Sequence, residues 1–91
     1  MSIVIIGGNE CMAGRYAQLC KEHNCKAKVF CKPKGIKNQM GSPDLVVCFT
    51  NTVSHGMVHT ATAALDNPAP IVWCRSSSMS ALKKILEQYA S

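Results

Sequence analysis

Four short apolar runs, separated by more polar segments, recur along the chain. They lie at residues 2–8 (SIVIIGG), 26–31 (KAKVFC), 44–50 (DLVVCFT) and 71–74 (IVWC). Continuous apolar runs bounded by turn residues are typical of strands buried in a parallel sheet, and the run at 44–50 shows this pattern most clearly. The run at 26–31 alternates with lysines, so it is predicted to be an edge strand.

Three other segments have the period of an amphipathic helix. The first, residues 9–24, begins at the N-cap candidate Asn9. The second runs from about residue 53 to 66 and has three competing caps, Asn51, Thr52 and Ser54. The third, residues 75–90, starts in a run of serines. The segment at 32–43 is rich in glycine and proline and predicts a loop or a single helical turn.

The order β-α-β-β-α-β-α predicts an α/β fold with a doubly wound sheet. Right-handed crossovers favour a four-stranded parallel sheet of order 2-1-3-4, a reduced flavodoxin-like or Rossmann-like three-layer sandwich. Ninety-one residues make one domain, residues 1–91, with a thin core. A second copy would help to cover that core, and we therefore expect a homodimer.

Composition narrows the class of protein. No apolar run approaches the ~20 residues of a membrane helix, and the N-terminus lacks the features of a signal peptide. We therefore expect a cytoplasmic protein that does not engage a membrane. The six cysteines form no C-x-x-C pair and are scattered, largely in apolar segments, so reduced structural thiols are predicted.

The net charge of +5 is concentrated in residues 26–37, which carry five lysines and no acid. Such a run could attract phosphate groups or anionic cofactors, or could simply be a solvated edge and loop. Aromatic residues are scarce and none is placed to stack on bases, so a nucleic-acid partner is not expected.

Ligands of doubly wound sheets bind beyond the carboxyl ends of the strands, at the point where the strand order reverses. Here that point lies between the first and third strands, where three loops and helix N-termini should meet and favour an anion. The candidate cofactor-binding residues are Gly7, Gly8, Asn9, Cys11, Arg15, Asn51, Thr52, Ser54, His55, Arg75 and Ser76. The segment GGNECMAG has neither dinucleotide-fold nor P-loop spacing, and its glycines could also serve only a tight turn.

Two histidines four residues apart, His55 and His59, fall opposite the apolar stripe of the second helix. Together they could ligate one metal ion if further ligands were nearby, or they could belong to a solvated helix face. His55 is the stronger candidate because it lies in the first turn, beside the ligand loops. Cys11 and His55 could form a nucleophilic pair, but no orienting third residue is identifiable, so catalysis stays open.

Three segments, IVIIGGNE, PDLVVCFTNTVSH and SSSMSAL, resemble in this order the DUF2325 family of small bacterial proteins. The resemblance covers nearly the whole chain, and Ser54–His55 is its most specific element. It implies an α/β fold and, from members associated with haem, non-covalent binding of haem b. His55 could then be the axial ligand, with Arg15 or Arg75 at the propionates and methionines as walls: Met12, Met40, Met57 and Met79.

Two functions therefore stay open. One is a small cofactor-binding protein that holds haem non-covalently, for redox chemistry or gas sensing; covalent attachment is excluded because there is no C-x-x-C-H. The other is a module that binds a nucleotide or phosphate at the strand ends without catalysis.

Overall fold

The structure, a computed structural model, describes residues 1–32 and 35–90. It has one parallel sheet of order β2-β1-β3-β4, with strands β1 (Ser2–Ile6), β2 (Lys26–Phe30), β3 (Leu45–Phe49) and β4 (Ile71–Cys74). The helices are α1 (Ala13–Glu22), the single turn α2 (Ile36–Gln39), α3 (His55–Ala63) and α4 (Met79–Tyr89). The predicted α/β fold, parallel sheet and strand order are confirmed. Pro33 and Lys34 of the predicted basic loop, and Ser91, lie outside the described residues.

Two hydrophobic cores, one on each face of the sheet, make the fold three-layered. Along β1, Ile3 and Ile5 pack into the core beneath α1 and α4, while Val4 and Ile6 pack into the core beneath α2 and α3. This alternation follows from the two-residue period of a strand. All five residues of β3 are buried, as its continuous apolar run predicts. None of the helices in the described ranges has the length and apolar character needed to cross a bilayer.

Helix α3 is shorter than the predicted segment of residues 53–66. It begins at His55 because Ser54 is extended and its hydroxyl accepts a hydrogen bond from the Met57 N–H at 3.2 Å. It ends at Ala63, after which the Asp66 N–H donates to the Gly41 carbonyl at 2.9 Å rather than to the helix. The predicted cap Asn9 is confirmed, but it caps a 3₁₀ turn over Glu10–Met12 that precedes α1.

The turn after β1 is built around two glycines with left-handed backbones, Gly7 (φ +96°) and Gly8 (φ +87°). A Cβ at Gly8 would lie 2.7 Å from Cε2 of Tyr16 and 3.2 Å from Cδ2 of Phe49. The ring of Tyr16 is fully buried, and its centroid lies 5.4 Å from that of Phe49. The absence of a side chain at Gly8 is therefore what lets Tyr16 pack against the turn.

All six cysteines are unpaired in the structure. Cys20, Cys25 and Cys48 are buried, whereas Cys11 is exposed. Burial, reinforced by the neighbouring Cys25, raises the pKa of Cys20 from 9.0 to about 11. Burial also raises the pKa of Cys48, and burial followed by the charge of Glu10 raises that of Cys31. The buried thiols thus behave as small apolar side chains.

Replacing Gly8 by alanine should destabilise the fold by about 2 kcal/mol or more, because the new Cβ would require both a left-handed backbone and the displacement of Tyr16. Gly14 is the matched control, since it lies in α1 and a Cβ there meets nothing within 4 Å. Gly14→Ala should stabilise the protein by about 0.5–1 kcal/mol. Urea unfolding of both variants measures the two changes, and equal effects would contradict this view of the turn.

Thiol labelling should separate the cysteines by burial. In denaturant without reductant, all six thiols should react. In the native protein near neutral pH, Cys11 should react first, and Cys20 and Cys48 last, because they are covered and their raised pKa keeps them protonated, while the thiolate is the reactive form. Mass spectrometry of timed samples identifies the order. A native disulfide, or early labelling of Cys20, would overturn the assignment.

Candidate functional site

The crevice at the carboxyl ends of β1 and β3 is filled by the protein's own groups. The Gly7 N–H donates to the Phe30 carbonyl at 2.8 Å, and the Gly8 N–H donates to Oγ1 of Thr52 at 2.7 Å. The Asn9 N–H points to the hydroxyl of Tyr16 at 3.4 Å. A bound anion could use these N–H groups only by displacing internal hydrogen bonds. The tight-turn interpretation therefore accounts for the two glycines.

Tyr16 links this turn to the loop that follows β4. Its hydroxyl donates to the Ser77 carbonyl at 2.6 Å. Because the hydroxyl also lies within reach of the Asn9 N–H, one buried side chain connects the loops after β1 and β4. Buried hydrogen bonds of this kind fix loops, because a buried donor or acceptor that loses its partner is left without any hydrogen bond, and this destabilises the folded protein. The three loops predicted to form a ligand rim are thus tied to one another.

Most polar candidates in the other two loops have structural roles. Thr52 accepts from Gly8 and donates its hydroxyl proton to the Phe49 carbonyl at 3.0 Å. Ser54 caps α3. Ser76 donates to Oγ of Ser78 at 3.0 Å, and Ser78 in turn caps α4 by accepting from the Ala81 N–H at 3.2 Å. These residues hold the loops, while the side chains of Asn51, His55 and Arg75 are exposed.

A groove beside the crevice collects the side chains with ligand-binding character. It has a volume of about 200 Å³ and lies where the start of α3 meets the end of β4; its lining residues are Thr50, Val53, Ser54, His55, Val58 and Trp73. The hydroxyl of Thr50 is fixed by a 3.3 Å hydrogen bond to the Cys74 carbonyl. The groove therefore combines an imidazole and an indole with two valine side chains, a surface suited to an apolar ring.

Among the groove residues the sequence analysis predicted only Ser54 and His55 as site residues, and the largest of those it missed is Trp73, the one tryptophan of the chain. It is 57% exposed, although it lies in the middle of an apolar strand. The two-residue period of a strand could have placed Trp73 on the α3 side of the sheet, because Trp73 shares a face with Ile71, which packs against the core beneath α2 and α3. In the sheet Trp73 lies beside Cys48, which is buried in that same core.

The two histidines of α3 are exposed, as predicted, but they line different depressions. His55 lines the groove with Trp73, whereas His59 lines a second depression with Thr60, Ala63 and Ala64. Residues 1–32 and 35–90 contain no group of three or more histidine, cysteine, aspartate or glutamate side chains that could hold a metal ion. The pair therefore lacks the further ligands that a protein-bound ion needs.

Three expectations about the surroundings of His55 are not met. Arg15 lies in a depression with Leu19, Glu22 and Met79 on the α1 side of the sheet, because α1 and α3 cover opposite faces. Cys11 does not line the groove of His55. None of the four methionines expected as haem walls lines the groove of His55: Met40 and Met57 are buried in the core beneath α2 and α3, and Met12 and Met79 pack against the core beneath α1 and α4.

Comparison with known proteins identifies the family of the chain. The model of the family described as "Uncharacterized protein conserved in bacteria (DUF2325)" matches residues 2–89. No curated protein and no solved structure matches the chain. The match covers β1 to the last residue of α4, and so includes both the turn at Gly7 and Gly8 and the groove at His55. The chain is a member of the DUF2325 family.

Proposed function

We propose that the protein binds haem b non-covalently in the groove between α3 and β4, with His55 as an axial ligand. The observation that carries the proposal is the exposed imidazole in a groove that is also lined by an indole, two valines and the hydroxyl residues Thr50 and Ser54. Sites for flat organic cofactors combine mostly apolar and aromatic walls with a few polar groups that fix orientation. An indole against the ring and an imidazole on the iron would satisfy both requirements.

The donor set suits haem better than a bare metal ion. A bare ion such as zinc takes about four ligands, at least three of them from the protein. Haem needs fewer, because the porphyrin supplies the equatorial ligands and the protein supplies the axial positions. One well-placed imidazole is therefore sufficient for haem, and His55 provides it. When bound, haem would supply reversible electron transfer or gas binding.

A cation for the propionates is available close in sequence to the groove. Arg75 is exposed and directly follows β4, two residues after Trp73. A guanidinium in this position could form a charge-assisted hydrogen bond with a carboxylate. We assign this role to Arg75 rather than to Arg15, which lies on the other face of the sheet.

The groove of one copy is smaller than a typical cofactor site. Its volume is about 200 Å³, whereas small-molecule sites commonly enclose about 300–1,000 Å³. A homodimer in which a second copy completes the site is therefore part of the proposal. A cytoplasmic location is also part of it, since six unpaired cysteines suit a reducing compartment.

The alternative function, a nucleotide- or phosphate-binding module, receives less support. It depends on the backbone N–H groups at residues 7–9, and these make internal hydrogen bonds. The serines after β4 are likewise engaged with one another and with the start of α4. We therefore place haem binding first.

His55→Ala should abolish haem retention, since it removes the proposed axial ligand. His59→Ala is the matched control, because it removes an exposed histidine one turn further along the same helix. Both variants should stay within about 0.5 kcal/mol of the parent in stability, as surface substitutions usually do. The measurement is Soret absorbance per folded protein after incubation with haemin and gel filtration. Full retention by His55→Ala would refute the assignment, and equal loss in both variants would also count against it.

A further inference from the structure

The two edges of the sheet differ in how they are protected. The outer strand β2 carries two exposed lysines, Lys26 and Lys28, and the ammonium of Lys28 also donates to the Gln39 carbonyl at 3.1 Å. Lysines on an edge strand are a common device against pairing with another chain. The opposite edge strand, β4, contains no charged residue and presents Trp73 with 57% of its surface exposed. Only one of the two edges is therefore protected.

The backbone of β4 is open for pairing. The Val46 N–H donates to the Pro70 carbonyl at 2.9 Å, and the Thr50 N–H donates to the Cys74 carbonyl at 2.8 Å. In a parallel ladder, alternate residues of a strand direct their N–H and C=O groups to opposite sides. The groups of Ile71 and Trp73 therefore point away from β3, toward the free edge. Such a row of unpaired groups is a template for another strand.

The region around this edge is almost free of charge. The chain has ten lysines and arginines and five aspartates and glutamates, and only Asp66 of these fifteen lies between residues 45 and 74. That span contains β3, α3 and β4. Two copies of a chain with net charge +5 repel each other wherever their charged surfaces meet. Apart from Arg75, which directly follows β4, two copies can approach along β4 with little of that cost.

We propose that β4 pairs in antiparallel fashion with β4 of a second copy of this chain, giving one continuous sheet across a two-fold axis. A two-fold interface brings the same patch of both copies together, so the requirement is a self-complementary surface. The outward-facing groups of Ile71 and Trp73 meet it, since each residue offers both a donor and an acceptor. The uncharged surface has nothing to select a partner of opposite charge, which favours a second copy over an unrelated charged protein.

Trp73 is the anchor of this interface. Tryptophan is enriched at the centres of interfaces, where its large area is desolvated on association. Because Trp73 also lines the groove of His55, the partner copy would lie beside that groove and enlarge it. The pairing itself needs no ligand, so it stands whether or not haem binds.

The single tryptophan makes the test direct. In ligand-free protein diluted from high micromolar to nanomolar concentration, the emission of Trp73 should shift to longer wavelength as the dimer dissociates. Sedimentation velocity over the same range should report the change in mass. Trp73→Lys should raise the dimer dissociation constant by about thirtyfold or more, the scale expected on loss of an interface hot spot.

Tyr89→Lys is the matched control, because Tyr89 is another exposed aromatic, 45% accessible, at the end of α4. It adds the same charge as Trp73→Lys and should leave the dissociation constant within about threefold of the parent, as expected for a residue outside the interface. A parent chain that stays monomeric at the highest concentration overturns the proposal. So does a dimer that survives Trp73→Lys, or one that Tyr89→Lys weakens equally.

Hydrogen exchange of the parent protein covers the case in which Trp73→Lys fails to fold. The amides of Ile71 and Trp73 should be protected at concentrations where the dimer forms and should exchange rapidly on dilution. The amide of Val29 provides the reference, because the Lys26 N–H and the Phe30 carbonyl bond toward β1 and the groups of Val29 therefore face outward from the lysine-protected edge. Equal exchange of the Ile71 and Trp73 amides at both concentrations would contradict pairing through β4.

Discussion

The packing of Tyr16 against Gly8 is the contact on which the arrangement of the loops at the carboxyl ends of the strands depends. The ring of Tyr16 occupies the space that a Cβ at Gly8 would take and lies against Phe49. The hydroxyl of Tyr16 donates to the Ser77 carbonyl. A doubly wound sheet leaves a crevice at this end, and in many such proteins a ligand fills it. Here an aromatic side chain fills it and ties the loops after β1 and β4 together.

Thr52 closes the same crevice from the other side. Its hydroxyl accepts from the Gly8 N–H and lies where a Cβ at Gly7 would clash, at 2.7 Å. Consequently the groups that could bind a ligand lie outside the crevice, on the α3 face, where His55 and Trp73 line a groove. This groove adjoins the edge strand β4, which contains no charged residue. The proposed cofactor site and the proposed dimer surface therefore share Trp73.

The sequence was sufficient for the features that depend on local periodicity. The alternation of apolar runs and amphipathic segments predicted the sheet and its order, and the helical projection correctly placed His55 and His59 on the exposed side. It could not choose among the three candidate caps of α3, because Thr52 is engaged by a hydrogen bond from Gly8, 44 residues away, which leaves Ser54 as the cap. The exposure of Trp73 was missed for a similar reason, since an aromatic residue in an apolar strand is covered or exposed according to what packs beside that strand.

The most direct test of this account is to map where a porphyrin contacts the folded protein. Gallium protoporphyrin IX, a diamagnetic analogue of haem, can be titrated into isotopically labelled protein while amide and indole resonances are recorded. The account predicts shifts at His55, Val58 and the indole N–H of Trp73, with the amides of Gly7 and Gly8 little changed. Shifts centred on Gly7, Gly8 and Ser77 would instead show that Tyr16 yields and that the ligand enters the crevice, which would contradict the account.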